Sequence, residues 1–293
     1  MIAPKFIPVC EPDLSGNELQ YLQQCIETNW VSSEGPYVRK LEEQLAERTG
    51  RRHGIAVANG TAALEIAVKV LGLGPGDEVI VPSFTIVSSV NAIVKSGATP
   101  VLVDLEPMTL TMDVNQVREK ITAKTKAIMV VHIYGLPADM DPILDLAERN
   151  GLQVIEDAAE MLGQTYKERP CGAFGNVSVF SFYANKFVTT GEGGMMVTDD
   201  VAIADACRGF RNLCFQPARR FHHEDMGWNY RLNNLQAALG VAQLERLDET
   251  CQRKRKIAAN YDQLLSGLEK IELPPSESMF AKSIYWVYGI VLS

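Results

Sequence analysis

The feature that most limits the fold of this sequence is a regular alternation between short apolar runs and longer segments whose apolar residues recur at helical spacing. Continuous runs of Val, Ile and Met are typical of strands that are buried on both faces of a sheet. The predicted strands cover residues 55–58, 78–81, 100–103, 127–133, 153–155 and 176–182. The predicted helices cover residues 17–27, 38–49, 62–71, 85–95, 114–121, 142–150 and 233–268.

Helices placed between such strands are the crossovers that a parallel sheet requires. The sequence therefore predicts an α/β fold with a mostly parallel central sheet and helices on both faces. At 293 residues the chain is long enough for one large domain and a smaller one, which we place at residues 1–240 and 241–293. Because the apolar segment 285–292 is typical of an interior strand, we expect the chain to stop inside an incomplete small α/β domain.

Charge and cysteine usage exclude several classes of partner. The formal net charge of −8 argues against nucleic acid or an anionic membrane surface as the main partner, since both need a basic face on the protein. No apolar stretch approaches the roughly 20 residues that span a bilayer, and the N-terminus lacks the pattern of a secretory leader. The six cysteines show no metal-ligand spacing and are typical of a reducing compartment. We expect a cytoplasmic protein with no bound metal.

Lys186 is the residue around which a reaction can be predicted. It follows the strand predicted at 176–182 and precedes a stretch, 191–194, that contains three glycines. Glycines let the backbone approach a ligand closely, and a lysine that has lost part of its hydration can attack a carbonyl as a free amine. Lys186 is therefore a candidate Schiff-base lysine, with a solvated loop lysine as the ordinary alternative.

Two further features fall at the same predicted edge of the sheet, where ligands of parallel α/β folds bind. Asn59-Gly60-Thr61 lies between a strand and a helix, where free N–H groups and the helix dipole can bind an anion. Asp157 follows a buried strand and precedes small residues, so its carboxylate could pair with the nitrogen of a flat heterocycle. A capped helix start and an N-cap aspartate are the ordinary alternatives.

The three features together indicate pyridoxal 5'-phosphate (PLP). This cofactor needs an anion site for its phosphate, a carboxylate for its ring nitrogen and a lysine for its aldehyde. The loop Trp30-Val31-Ser32-Ser33 is rich in aromatic and hydroxyl groups, so Trp30, Ser32 and Ser33 are candidate substrate-binding residues. An ordinary surface loop remains the alternative for that segment.

Seven segments of the sequence resemble the DegT/DnrJ/EryC1/StrS family of sugar-nucleotide aminotransferases, and within it the GDP-perosamine synthase branch. The segments are WVSSEG (30–35), NGTAAL (59–64), GDEVIVP (76–82), KTKAIM (124–129), IEDAAE (155–160), FSFYANKFVTTGEGGM (180–195) and GWNYRL (227–232). The resemblance implies the PLP-dependent transferase fold of type I. It also implies transfer of an amino group from glutamate to a 4-keto-6-deoxy sugar nucleotide, such as GDP-4-dehydro-6-deoxy-mannose, for surface polysaccharide (O-antigen) biosynthesis.

The resemblance also implies a role for each matching residue. Lys186 would bond to the cofactor and move protons, and Asp157 would pair with the ring nitrogen. Glu160 would lie near the phenolic oxygen, and Ile86 stands where the family usually has an aromatic residue against the ring. Gly60, Thr61 and Ser181 would bind the phosphate, and Asn229 would reach the phosphate of the partner subunit in a homodimer with shared active sites.

Two other functions are alternatives to amino transfer. Family members that dehydrate the sugar have histidine in place of the lysine, so Lys186 argues against that reaction. A catalytically incomplete PLP-binding or regulatory fragment is the alternative that the expected end inside the small domain leaves open.

Overall fold

The computed structural model describes residues 6–216 and 219–292, and its centre is a seven-stranded sheet. The strands of this sheet lie in the order β1 (His53–Val57), β9 (Gly194–Thr198), β8 (Val177–Ser181), β5 (Gln153–Asp157), β4 (Thr125–Val131), β2 (Glu78–Pro82) and β3 (Thr99–Val103). The pairs from β8 through β3 are parallel, whereas β9 is antiparallel to both of its neighbours. The predicted mostly parallel sheet is confirmed.

Helices connect the strands and cover the sheet. They are α1 (Glu18–Glu27), α2 (Pro36–Arg48), α3 (Gly60–Val70), α4 (Val87–Ser96), α5 (Val114–Lys120), α6 (Met140–Asn150), α7 (Val201–Arg211), α8 (Asn234–Glu245) and α9 (Leu247–Leu265). Short two-stranded ribbons pair β6 (Thr165–Tyr166) with β7 (Arg169–Pro170), β10 (Phe215–Gln216) with β11 (Arg219–His223), and β12 (Ile271–Glu272) with β13 (Val291–Leu292).

The central strands are buried on both faces, as their composition predicts. In β2, Val79 and Val81 pack into the core on one side of the sheet, while Ile80 packs into the core on the other side. In β4, Met129 packs on the same side of the sheet as Val79 and Val81, while Ile128 packs on the side of Ile80. Each of these side chains is almost completely excluded from solvent, so the continuous apolar runs reflect two hydrophobic layers against one sheet.

Three parts of the chain differ from the sequence-based expectation. The predicted helix 233–268 is two helices, α8 and α9, which meet at Arg246. Strand β9 and helix α7 lie in a region where neither was predicted. The boundary placed at residue 240 falls inside α8, and the division into two domains stays a prediction.

The prediction of an interior strand over residues 285–292 is wrong. Only Val291–Leu292 is a strand, and it pairs with Ile271–Glu272 in a separate ribbon. The extended conformation is interrupted at Tyr285, whose φ of 51° lies in the left-handed region that strands do not use. The segment instead crosses the carboxyl edge of the central sheet and brings Trp286 to the cavity described below.

All six cysteines are free thiols, five of them buried. Among the described residues, no helix combines the length and the apolar character needed to cross a membrane.

Candidate active site

A cavity of about 300 Å³ lies at the carboxyl ends of three neighbouring parallel strands, where ligands of α/β sheets bind. Val131 ends β4, Asp157 ends β5 and Ser181 ends β8, and all three line the cavity. The complete lining consists of Asn59, Gly60, Thr61, Leu64, Thr85, Ile86, Ser88, Val131, His132, Ile133, Asp157, Ala159, Glu160, Val179, Ser181, Tyr183, Asn185, Lys186, Glu192 and Trp286.

One end of the cavity is formed by the start of α3. The side chain of Asn59 caps the helix by accepting a hydrogen bond from the N–H of Ala62. The N–H groups of Gly60 and Thr61 lie in the first turn, where backbone donors have no acceptor within the helix. A Cβ on Gly60 would stand 3.0 Å from the Cβ of Ser181, which shows how closely the turn approaches β8. The hydroxyls of Thr61 and Ser88 lie 2.8 Å apart beside the turn. These donors at a helix N-terminus can bind a phosphate.

Lys186 lies in the turn that follows β8. Its N–H donates to the carbonyl of Tyr183, and its side chain is 12% exposed. Burial lowers the pKa of Lys186 from its usual value, while the nearby carboxylates of Glu160 and Asp157 oppose that shift. A lysine in this environment releases its proton more readily than a solvated lysine, as a nucleophilic amine must.

Asp157 is almost completely buried, and its carboxylate accepts two hydrogen bonds. The hydroxyl of Ser89 donates to Oδ2 at 2.9 Å, and the N–H of Ala159 donates to Oδ1 at 3.2 Å. Burial nevertheless raises the pKa of Asp157, because these bonds and the charge of Lys186 only partly offset the loss of hydration. A positively charged group placed beside this carboxylate would favour its ionised form.

Glu160 lies beside Lys186 and contacts the backbone of Tyr134, whose ring packs against that of Trp286. Its Oε1 lies 3.9 Å from the Nζ of Lys186, and its Oε2 accepts a hydrogen bond from the N–H of Tyr134 at 2.8 Å. Burial raises the pKa of Glu160 from 4.5 to about 7, against the opposing effects of Lys186 and the Tyr134 N–H. Glu160 can therefore exchange a proton near neutral pH.

We expect Glu160 to lower the free energy of unfolding of the cofactor-free protein as the pH rises. Because its folded pKa of about 7 exceeds 4.5, the folded state binds the proton more tightly, and this contribution to stability is lost as the pH rises through 7. The loss is at most about 3 kcal/mol. In urea unfolding at pH 4.5, 6 and 7.5, Glu160→Gln should gain stability over the parent progressively. Glu47→Gln, at an exposed helix position, serves as the control. A difference in unfolding free energy between Glu160→Gln and the parent that does not change with pH would contradict the expectation.

A second buried carboxylate, Glu156, supports the strand that carries Asp157. The Nδ1 of His132 accepts from the N–H of Ala138 at 3.0 Å, so the ring carries its proton on Nε2 and donates it to Glu156 at 3.1 Å. The other donors to the Glu156 carboxylate are the N–H groups of Gly172, Phe174 and Gly175 and the hydroxyl of Ser178. Although burial raises the pKa of Glu156, these hydrogen bonds outweigh it and lower the pKa.

The same network explains a cluster that resembles a metal site. Donor atoms of His132, Glu156 and Cys171 lie within 4.8 Å of one another in the interior. Both oxygens of Glu156 already accept hydrogen bonds, and both ring nitrogens of His132 are engaged. Hydrogen bonds therefore account for this cluster, which fixes the end of β5.

The structure brings most of the predicted site residues together. Gly60, Thr61, Ile86, Asp157, Glu160, Ser181 and Lys186 all line the cavity. Trp30 and Ser32 lie outside its lining, and Ser33 borders a neighbouring cavity of about 150 Å³. Asn229 is an exposed residue outside the cavity, and its backbone pairs with Asn212. The substrate-binding role of Trp30, Ser32 and Ser33 stays a prediction, as does the role of Asn229 in a partner subunit.

Three residues of the site carried no signal in the sequence. Ser89 bonds Asp157, His132 lines the cavity beside it, and Trp286 faces Lys186. Ser89 lies in the first turn of α4, and Trp286 comes 100 residues after the lysine, so neither belongs to the segments that indicated the site. His132 is the exception, because it lies near the end of the strand predicted at 127–133, at the edge of the sheet where site residues are expected.

The residues present fit the PLP predicted from the sequence. The anion-binding turn, the Asp157 carboxylate and Lys186 all line one cavity. Asp157 presents a buried carboxylate to this cavity, with which a protonated ring nitrogen would pair. Ile86 lines the cavity with an aliphatic side chain, while Phe84 packs edge-on against Tyr134 outside the lining. Ile86 is therefore the residue in place to cover a ring by dispersion contacts.

Comparison with known proteins gives consistent matches over nearly the whole chain. The profile of the DegT/DnrJ/EryC1/StrS aminotransferase family matches residues 12–293. GDP-perosamine synthase of Escherichia coli O157:H7 is 45% identical over 287 residues, which cover 98% of this chain and 78% of that protein. GDP-perosamine synthase of Vibrio cholerae is 46% identical over 286 residues, which cover 98% and 77%.

Solved structures resemble the whole described fold. The aminotransferase TlmJ from Streptoalloteichus hindustanus superposes with a TM-score of 0.94 at 34% identity, over 98% of this chain and 79% of that one. The PLP form of Spr1654 from Streptococcus pneumoniae superposes with a TM-score of 0.91 at 28% identity, over 98% and 78% of the two chains.

Proposed function

The chain belongs to the DegT/DnrJ/EryC1/StrS aminotransferase family, and from this membership we propose a specific reaction for it. The protein is a PLP-dependent enzyme that transfers an amino group from glutamate to a 4-keto-6-deoxy sugar nucleotide, GDP-4-dehydro-6-deoxy-mannose. The product is the 4-amino sugar nucleotide, which serves surface polysaccharide synthesis in the cytoplasm. The observation that carries the proposal is the cavity shared by Lys186, Asp157 and the anion-binding turn, in a chain whose relatives include GDP-perosamine synthases.

Each of the site residues has a distinct role in such a reaction. Bound here, PLP supplies an aldehyde that takes up an amino group and a ring that withdraws electrons from it. Gly60, Thr61 and Ser181 bind and orient the phosphate through N–H and hydroxyl donors. The carboxylate of Asp157 would pair with the ring nitrogen and favour its protonated form. The amine of Lys186, whose pKa burial lowers, would remove and return protons at its Nζ.

Glu160 influences the protonation state of Lys186. Its carboxyl lies 3.9 Å from the Nζ of Lys186, and its pKa of about 7 lets it take either charge state at neutral pH. When Glu160 is ionised it favours the ammonium form of Lys186, and when it is protonated it favours the free amine. The pair can therefore pass through both states within one catalytic cycle without a large change in net charge.

Amino transfer from labelled glutamate tests the proposed function directly. The purified chain, supplied with PLP, is incubated with GDP-4-dehydro-6-deoxy-mannose and nitrogen-15 glutamate, and the sugar nucleotide is analysed by mass spectrometry. We expect nitrogen-15 in the sugar nucleotide, with none when PLP is omitted. The corresponding UDP and dTDP sugars test the choice of nucleotide. A bound-cofactor absorbance without label transfer would support the fragment alternative instead.

We also propose that the active unit is a homodimer with shared sites. Asn229 is exposed, and it lies in the Gly-Trp-Asn-Tyr-Arg segment between the β10–β11 ribbon and α8. An exposed polar residue of this kind is available to a neighbouring subunit, and two-fold symmetry would make the exchange reciprocal. Each subunit would then give one Asn229 and receive one.

Mixing two inactive variants should restore activity if the sites are shared. Lys186→Ala removes the amine of its own site, and Asn229→Ala removes a phosphate contact from the partner's site. In a mixed dimer one of the two sites receives both native residues, so we expect up to about half of the parental activity per mixed dimer. Each variant alone provides the background. Subunit exchange is verified by native mass spectrometry, and the absence of rescue despite exchange would contradict sharing.

A further inference from the structure

The amine of Lys186 faces the ring of Trp286. Its Nζ lies 3.7 Å from the ring centroid, a distance within the range of cation–π contacts. The indole N–H of Trp286 donates to the carbonyl of Asn185 at 3.0 Å, so the ring is tied to the residue adjacent to the lysine. Trp286 therefore has a fixed orientation in which its face, rather than its edge, meets the amine.

The segment that carries Trp286, residues 282–286, is anchored to the large sheet by several independent contacts. The N–H of Ile284 donates to the carbonyl of Gly135 at 3.2 Å, and the side chain of Gln164 donates to both Gly135 and Lys282. From α9, Arg255 donates to the carbonyl of Ser283. Ile284 is completely buried. These contacts hold the segment against the carboxyl edge of the sheet.

Glycine at position 135 is part of this docking surface. Its φ of +102° lies in a region that side chains rarely adopt, and a Cβ there would stand 2.5 Å from the N of Tyr285. The backbone of the segment therefore packs directly on the backbone that follows β4. The position of Trp286 is set by the fold and does not depend on the conformation of a free loop.

We propose that Trp286 is a positioning residue for Lys186. The indole face of Trp286 holds the ammonium form of the Lys186 amine in place at the cavity. The proposal rests on Lys186 being the reactive amine of the proposed function. The aromatic face attracts the charged amine through the ring quadrupole. Tyr134 extends the same wall, with its ring centroid 6.5 Å from that of Trp286.

Other charged groups near Lys186 act in both directions on its protonation. Glu160 and Asp157 favour the ammonium form, and burial favours the free amine. His132, Tyr183 and Glu192 also border the cavity, and Tyr134 contacts the indole ring. Lys254 donates to the carbonyl of Trp286 at 3.3 Å, on the backbone side of that residue. A substitution of Trp286 leaves all of these groups in the chain, so a comparison with the parent isolates the ring.

The test measures the protonation of Lys186 in the cofactor-free protein. Brief competitive labelling with acetic anhydride across pH 6 to 11 is followed by mass spectrometry of the peptide that contains Lys186, with the exposed Lys167 as internal reference. We expect Trp286→Leu to lower the midpoint of Lys186 labelling by about 0.5 to 1 pH unit, because the ammonium form loses its aromatic partner. Trp286→Phe keeps a ring face and should recover most of the shift.

The direction of the shift separates positioning from a purely structural role. If Trp286 only held the segment in place, its loss would admit water to the lysine and raise the midpoint. An unchanged or raised midpoint in Trp286→Leu would therefore overturn the proposal. Trp228→Leu is the matched control, because Trp228 stacks on Tyr230 outside the cavity, and its midpoint should equal that of the parent.

A second measurement keeps Trp286 in place, in case the leucine variant does not fold. In a chain with Trp30→Phe and Trp228→Phe, Trp286 is the one remaining tryptophan. We expect its fluorescence to titrate with the midpoint found for Lys186 by labelling, and this titration to vanish when Lys186→Met is added. A titration that persists without the amine would overturn the proposal. Neither measurement uses cofactor or substrate, so failure of the proposed reaction and failure of this proposal are distinguishable.

Discussion

Lys186→Ala is expected to reduce amino transfer by about 10⁴-fold or more, because the change removes both the attachment point of the cofactor and the base that moves protons. Of the described residues that line the cavity, Lys186 is the only lysine. The amine of Lys254, which contacts the backbone of Trp286, is engaged with that residue's carbonyl. Among the cavity-lining residues that the structure describes, no second amine is placed to take over the reaction.

Borohydride reduction provides a measurement of this loss that does not depend on turnover. Reduction of the parent loaded with PLP should fix the cofactor on the peptide that contains Lys186, and the variant should show no such increase in mass. Lys186→Arg is the matched control for charge, since it keeps a cation beside Glu160 but cannot bond to an aldehyde. Turnover near the parental rate in either variant would place the reactive amine elsewhere.

The sheet was predictable because its strands carry an unambiguous composition. Strands such as β2 and β4 need apolar residues on both faces, so their sequences contain few polar positions that another structure would require. The rule that ligands bind at the carboxyl ends of parallel strands then places Asp157 and Lys186 at one edge. Both steps depend on local sequence and on general topology.

The parts that could not be predicted depend on contacts between distant segments. Trp286 reaches Lys186 only because residues 282–286 dock on Gly135 and Gln164. Nothing in the apolar composition of 285–292 distinguishes a docked irregular segment from an interior strand, and the turn at Tyr285 decides between them. Strand β9 was obscured because the glycines before it are typical of a loop.

The Asp157 carboxylate shows why burial has to be known before a role can be tested. The sequence places an acid after a strand, which is equally compatible with a helix cap. In the structure Asp157 ends β5, lines the cavity and is 2% exposed. Its raised pKa shows that the chain alone does not fully compensate its charge. Asp157 therefore presents a buried carboxylate to the cavity, and its charge is the basis of the second large effect that we expect.

Asp157→Asn should lower the rate of amino transfer by about 10³-fold or more, a change in activation free energy of about 4 kcal/mol. Asparagine has nearly the same shape, so its Oδ1 can accept from the Ala159 N–H while its amide donates to the Ser89 hydroxyl. What the variant loses is the negative charge that holds a proton on the ring nitrogen. The phosphate contacts at Gly60 and Thr61 are untouched, so we expect much of the PLP to remain bound.

Stability of the cofactor-free protein supplies the decisive control for Asp157→Asn. Because the folded pKa of Asp157 is raised, its contribution to stability is lost as the pH rises through that folded pKa, and an uncharged asparagine avoids this loss. At pH 7.5 the variant should therefore be at least as stable as the parent in urea unfolding, although it is far less active. If it were both inactive and unstable, the aspartate would be a structural residue. Normal turnover would exclude Asp157 as the partner of the ring nitrogen, since a buried carboxylate that pairs with that nitrogen cannot be neutralised without weakening the electron sink.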